Sequence, residues 1–140
     1  MRLRSVILAV LAVPMAPVVA AEAFALPSGQ IAQPLPVIWD EDASAIRLRY
    51  VLSTLTPTDS SYIDSPEGAF ADMHWLCDAQ LAEMQAQADD PRDEGWTAAV
   101  VTLMDRDVPF GTVDRASFQL FEWFSLTAEG CEQDWDAYHD

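Results

Sequence analysis

The sequence predicts an α+β domain, an antiparallel sheet in the order ββαββ with one main helix packed on one face. Three observations carry that expectation. Residues 45–52 alternate apolar and polar, residues 66–88 repeat apolar side chains every three or four positions, and residues 96–104 and 117–126 are rich in β-branched or aromatic side chains. Strands joined by turns on either side of a single helix pack as a sheet with that helix across one face.

The first 23 residues, MRLRSVILAVLAVPMAPVVAAEA, have the form of a cleaved secretory signal. Arg2 and Arg4 make a basic start, and Val6 to Val13 is apolar. Pro14 and Pro17 break the helix before Ala21-Glu22-Ala23, which fits the small-x-small cleavage pattern. A membrane anchor needs about 20 unbroken apolar residues, which this run does not supply. No cysteine follows it, so a lipoprotein anchor is excluded, and the two arginines are not adjacent as a twin-arginine signal requires. The expectation is a secreted or periplasmic protein whose single mature domain is 24–140, with no stable membrane insertion once the signal is removed.

Residues 24–36, with Pro27, Gly29, Pro34 and Pro36, read as an irregular lead-in. Val37-Ile38-Trp39, stopped by Asp40-Glu41-Asp42, reads as a short edge strand. In the next strand Ile46, Leu48, Tyr50 and Leu52 share one face, with Arg47 and Arg49 on the other. Residues 56–65 are polar and turn-rich. Ser65-Pro66 then supplies an N-cap and a first-turn proline, with Glu67 where the helix dipole favours an acid. Phe70, Met73, Cys77, Leu81, Met84 and Ala88 form the apolar stripe, and Asp72, Asp78, Glu83 and Gln87 lie away from its centre. Asp89-Asp90-Pro91 ends the helix. After a loop at 93–95, a strand is expected over 96–104, a turn around Pro109 and Gly111, and a strand over 117–126. Phe118, Leu120, Phe124 and Leu126 are placed on one side of that last strand, with Phe121 and Trp123 on the other. A turn at Ala128-Glu129-Gly130, then Cys131 and an acidic tail with Trp135 and Tyr138, close the chain.

Charge narrows the function classes. The chain has 23 acidic residues against 7 basic ones, all of them arginine, for a net charge of −16. Such a surface repels phosphate backbones and anionic lipid headgroups, so neither nucleic acid nor a membrane surface is expected as partner. Acidic runs are normally solvated faces. Asp40-Glu41-Asp42 and Asp89-Asp90 with Asp93-Glu94 lack the glycine turn of a calcium loop, and Asp105-Arg106-Asp107 begins like one before meeting Pro109, so no cation site is assigned to them.

Cys77 falls on the stripe, with His74 one turn before it. A nucleophilic thiol needs exposure and an electropositive neighbour, and neither is expected mid-stripe among aspartates. A zinc site from His74, Cys77, Cys131 and His139 would have a spacing that matches no common finger. An exported chain with an even cysteine count favours a Cys77–Cys131 disulfide, closing a loop worth roughly 4 kcal/mol in the chain-entropy model. His74 is then a rim histidine packed against Trp or Tyr. No serine-hydrolase elbow, zinc-protease helix, phosphate loop or dinucleotide fingerprint is present, and no cofactor or metal is expected.

DMHWLCDAQL, VVTLMDRDVPFG and FQLFEWFSLTAEGCEQDW together resemble a family of small exported bacterial proteins classed as a domain of unknown function. The shared features are Leu76-Cys77 in the helix, the turn from Asp105 to Gly111, the strand from Gln119 to Glu122 and the late Gly130-Cys131. The resemblance covers most of residues 66–135 and implies no activity. Some such sequences carry the label acetolactate synthase. This chain is too short for a thiamine-diphosphate enzyme and shows none of that cofactor's binding elements, so the label does not transfer.

The function expected is a non-enzymatic binding or envelope-accessory module, presenting an aromatic-rich sheet face to a protein or small-molecule partner. Five Trp, six Phe and three Tyr exceed what one helix on one face covers. Two alternatives stand beside it: a small hydrolase using Asp105, Asp107 or Glu122, and a purely structural or inhibitor-like protein.

Overall fold

The structure, a computed structural model, describes residues 12–14, 22–56 and 61–136, apart from the side chains of Ser61 and Ile63. Most of the expected signal segment, and Tyr138 and His139, lie outside the described residues. In chain order the elements are β1 (Phe24–Ala25), β2 (Ile31–Pro34), β3 (Ile38–Asp40), β4 (Ala45–Val51), α1 (Ser61–Asp64), α2 (Pro66–Gln87), β5 (Ala98–Met104), β6 (Gln119–Thr127) and β7 (Gly130–Gln133).

The long helix begins at Pro66, where a fixed φ costs no hydrogen bond, and ends at Ala88 ahead of Asp89-Asp90-Pro91. Ser65 occupies the N-cap position but its side chain makes no capping bond. The first turn is closed by the backbone instead, Gly68 N–H donating to Ser65 O at 3.0 Å. The buried residues of α2 are Ala69, Asp72, Met73, Leu76, Cys77 and Leu81. That stripe is centred near Met73 and is rotated from the expected one toward Leu76 and Asp72. The rotation arises because α2 is covered on two sides, by the sheet and by the segments that precede it.

The sheet runs β1-β2-β4-β5-β6-β7, with β3 also paired to β4. The α+β class with one main helix on the sheet is as the sequence implies, but the sheet is mixed. β4 and β5 are parallel, in register from Ala45 opposite Ala98 to Val51 opposite Met104. The other pairs are antiparallel. The parallel pair follows from the connection: residues 52–97 carry α2 back along the sheet before β5 starts, which is a crossover rather than a hairpin. The lead-in is not irregular throughout. β2 and β3 lie end to end along one edge of β4, and Leu35 between them donates its N–H to Arg49 O at 2.9 Å.

Strand alternation divides the sheet cleanly. Ile46, Leu48 and Tyr50 of β4, Val101 and Leu103 of β5, and Phe124 of β6 are buried in the main core with Met73, Leu76 and Cys77 of the helix. The intervening residues point the other way. Ala45, Ala98 and Val100 make a second, small cluster there, packed against Trp123. Among the described residues, no helix is long and apolar enough to cross a membrane.

Candidate functional site

On the side of the sheet away from α2, the loop between β5 and β6 lies over the strands. That loop, residues 105–118, buries Val108 and leaves Phe110 half exposed at its tip. Between loop and strands lies a groove of about 310 Å³, lined from the strands by Arg47, Arg49, Thr102, Phe121 and Trp123 and from the loop by Phe110 among others. The strands put these residues together for a simple reason. Arg47 and Arg49 are two apart on β4, so both point to one face. Val100 and Thr102 stand beside them on β5, and Trp123 and Phe121 stand opposite those two on β6.

The two guanidinium groups are held differently. Arg47 donates its Nε–H to Asp40 Oδ2 at 2.7 Å, across the β3–β4 pair. Its guanidinium carbon lies 5.0 Å from the Phe110 ring centroid and 5.9 Å from that of Trp123, within the reach of cation–π attraction. The Nη1 and Nη2 groups make no hydrogen bond among the described residues. Arg49, whose side chain is 11% exposed, donates an Nη2–H to the Val108 carbonyl and so fastens the loop to the sheet. Its acidic neighbour is Asp107, at 4.0 Å and 67% exposed, so that carboxylate is solvated rather than locked to the guanidinium. The hydrogen bond from Arg47 holds the Asp40 carboxyl below the usual carboxylate range. A ligand entering here meets free N–H donors between aromatic walls.

The residues singled out from the sequence lie elsewhere. Cys77 and Cys131 are joined, with an S–S distance of 2.05 Å and Cα atoms 6.1 Å apart, tying α2 to β7. His74 is at the rim, stacked on Phe124 with ring centroids 5.5 Å apart and close to Phe70, so its partners are phenylalanines rather than Trp or Tyr. Its Nε2–H donates to Cys131 O at 2.5 Å, while Asp78 Oδ1 accepts the Cys131 N–H at 2.9 Å. Helix side chains thus clamp the backbone of Cys131 from both ends. Gly130 is needed beside them: its φ is +127°, and a Cβ there would lie 2.8 Å from Asp78 Oδ1.

The three carboxylates considered for hydrolysis do not converge. Asp105 is tied to Arg106 at 2.9 Å and to Ser117 Oγ at 3.0 Å, and the Arg106 hydrogen bond holds its pKa low. A carboxyl kept ionised in this way is poorly suited to donate a proton near neutral pH. Asp107 faces solvent beside the groove. Glu122 projects to the helix side of β6, where it lines a separate, mainly apolar pocket of about 340 Å³ with Phe70, Met73 and Leu120. Among the described residues no three His, Cys, Asp or Glu side chains gather to hold a metal. The acidic runs are engaged locally: Asp90 accepts from Arg92 and Gln85, and Asp40 accepts the Ala43 N–H as well as Arg47.

Sequence reasoning passed over Arg47 and Arg49, reading them as the wet side of a half-buried strand. The signal was present: two arginines at i and i+2 in a lysine-free chain of net charge −16.

The profile of a family described as "Family of unknown function (DUF6497)" matches residues 9–138. The chain belongs to that family. No curated protein and no solved structure matches it. For a DUF6497 member, then, function has to be argued from the groove itself.

Proposed function

We propose that this DUF6497 domain is an exported, non-enzymatic binding module that takes its ligand in the groove beneath the β5–β6 loop. The observation that carries the reading is the pairing of two arginines, each with N–H donors unused by the described residues, with Phe110, Phe121 and Trp123. Binding sites combine apolar walls with a few convergent polar groups, and volumes of about 300 Å³ and above are typical of them. Export is supported by the basic-apolar-small pattern of residues 1–23 and by the disulfide, a bond that persists in oxidising compartments.

The test of the site is a fragment screen against isotope-labelled protein. Hits are expected to move the Trp123 indole and Thr102 resonances while leaving Leu76 and Leu103 in place. Hits that gather at the helix-side pocket near Met73, or none that reach the groove, would overturn it. Export is checked by sequencing the N-terminus of protein recovered from the periplasm, which is expected to begin at Phe24.

A further inference from the structure

We infer that the groove recognises a monoanionic carboxylate carried on a small aromatic or apolar body. This rests on the groove being the binding site and adds the class of ligand.

Charge and shape both bear on it. Arg47 keeps its two terminal NH2 groups free among the described residues, because it meets Asp40 through Nε alone while Asp40 also accepts the Ala43 N–H. Arg49 uses Nη2 to hold Val108 O and leaves Nε and Nη1 without a hydrogen bond among those residues. A planar guanidinium presents paired N–H groups in the geometry that a carboxylate accepts through both oxygens. Two such groups two residues apart on one strand face lie about 7 Å from each other at the backbone, close enough for one small ligand to meet both.

The charge balance selects the anion. Asp40 and Asp107 each set one negative charge against the two arginines, and Asp107 is far the more solvated. The solvated Asp107 is screened, so the floor of the groove is close to charge balance inside a chain of net charge −16. A balanced floor with unused N–H donors accepts one negative charge, whereas a phosphate dianion would face the repulsion of the whole molecule with few donors to offset it. The walls select the body of the ligand. Phe110 and Trp123 already lie near the Arg47 guanidinium, and exposed Phe121 extends the apolar surface. A cavity of about 310 Å³ equals roughly ten waters at liquid density. One ring and one carboxylate fit that space.

The experiment titrates labelled full-length mature protein with phenylacetate, phenylacetamide and inorganic phosphate, following the Trp123 indole signal assigned by Trp123→Phe. Phenylacetate is expected to move that signal with a dissociation constant of millimolar order, as befits a fragment. It should bind about tenfold more tightly than the amide, with phosphate failing to displace it. Arg47→Gln should bring acid and amide to equal affinity, and Arg47→Lys should restore only part of the difference between them. Arg49→Lys reports on the second guanidinium, and the amide's shifts confirm that the loop is still seated in each variant. Equal binding of acid and amide would overturn the carboxylate and leave the groove as a binding site. Displacement by phosphate would replace carboxylate with phosphate. Groove signals that respond to none of the probes overturn this inference, while the fragment screen decides separately whether the groove binds at all.

Discussion

Phe121 and Phe124 belong to the same strand, three residues apart, and meet opposite fates. Phe124 is 0% exposed, stacked between the sheet and the helix side chains Phe70 and His74. Phe121 is 57% exposed and lines the groove beneath the β5–β6 loop. The contrast holds for the two faces of the whole sheet. Toward α2 the strands present Ile46, Leu48, Val101 and Leu103, close-packed in the main core. Away from it they present Arg47, Arg49, Thr102 and Trp123 around an open space. Period-two alternation gives one strand two duties, cohesion on one face and contact on the other.

The sharpest way to break that division is to truncate both phenylalanines. Phe124→Ala is expected to cost roughly 3–5 kcal/mol, the usual range for emptying a packed aromatic site. Phe121→Ala should change unfolding free energy by less than about 1 kcal/mol, as for surface substitutions generally. Chemical denaturation of the two variants decides it, and similar losses would mean that the groove is part of the core.

Reduction of Cys77–Cys131 comes next, at up to about 4 kcal/mol for a bridge spanning 54 residues. Thiol titration under denaturing conditions should find no free thiol among the two cysteines before reduction and two after it. Because the bond joins α2 to β7, the helix-side core should loosen first. Hydrogen exchange that rises instead in the β5–β6 loop would contradict that order.

Acid should act by less, and on both sides of the sheet. Asp40, Asp90 and Asp105 are all held below the ordinary carboxylate range, each chiefly by an arginine hydrogen bond. A depressed folded-state pKa gives stability that is complete above the unfolded value, about 3.9 for Asp, and is lost as pH falls through the folded one. The thermal midpoint should therefore decline below about pH 4, with the contacts of Arg47, Arg92 and Arg106 loosening before the core. Asp40→Asn is expected to flatten part of that decline. An unchanged acid profile in this variant would remove Asp40 from the account.

How much of this was legible depended on how local the signal was. The helix could be read because Pro66 and Asp89-Asp90-Pro91 bound a repeating stripe, and β4 because five residues alternate without a break. Burial of Asp72 was not legible. It is 1% exposed and accepts hydrogen bonds from Ser28 N–H at 3.0 Å, from the Ser28 hydroxyl and from the Tyr62 hydroxyl at 2.5 Å. Both partners come from stretches that look like loop, and a buried carboxylate is tolerable only once such donors are in place. The parallel pairing of β4 with β5 was hidden for a related reason, since polarity depends on where a long crossover delivers the chain. The groove was harder still. Nothing in the periodicity of residues 105–118 says that Val108 folds back over the sheet, yet that single contact turns two surface arginines into the floor of a cavity.

The prolines of the outer strand have a consequence for life at high concentration. Pro34 and Pro36 offer no amide hydrogen, so the row of β2 and β3 cannot act as a continuous template for another chain. The strand beyond them, β1, has only two residues, and the opposite edge, β7, has four and is followed by Asp134 and Asp136. Both margins of the sheet are too short, or too negatively charged, to recruit a neighbour by edge pairing. Edge pairing between crowded copies of this chain is disfavoured by these borders, and the aromatic face is left for other contacts.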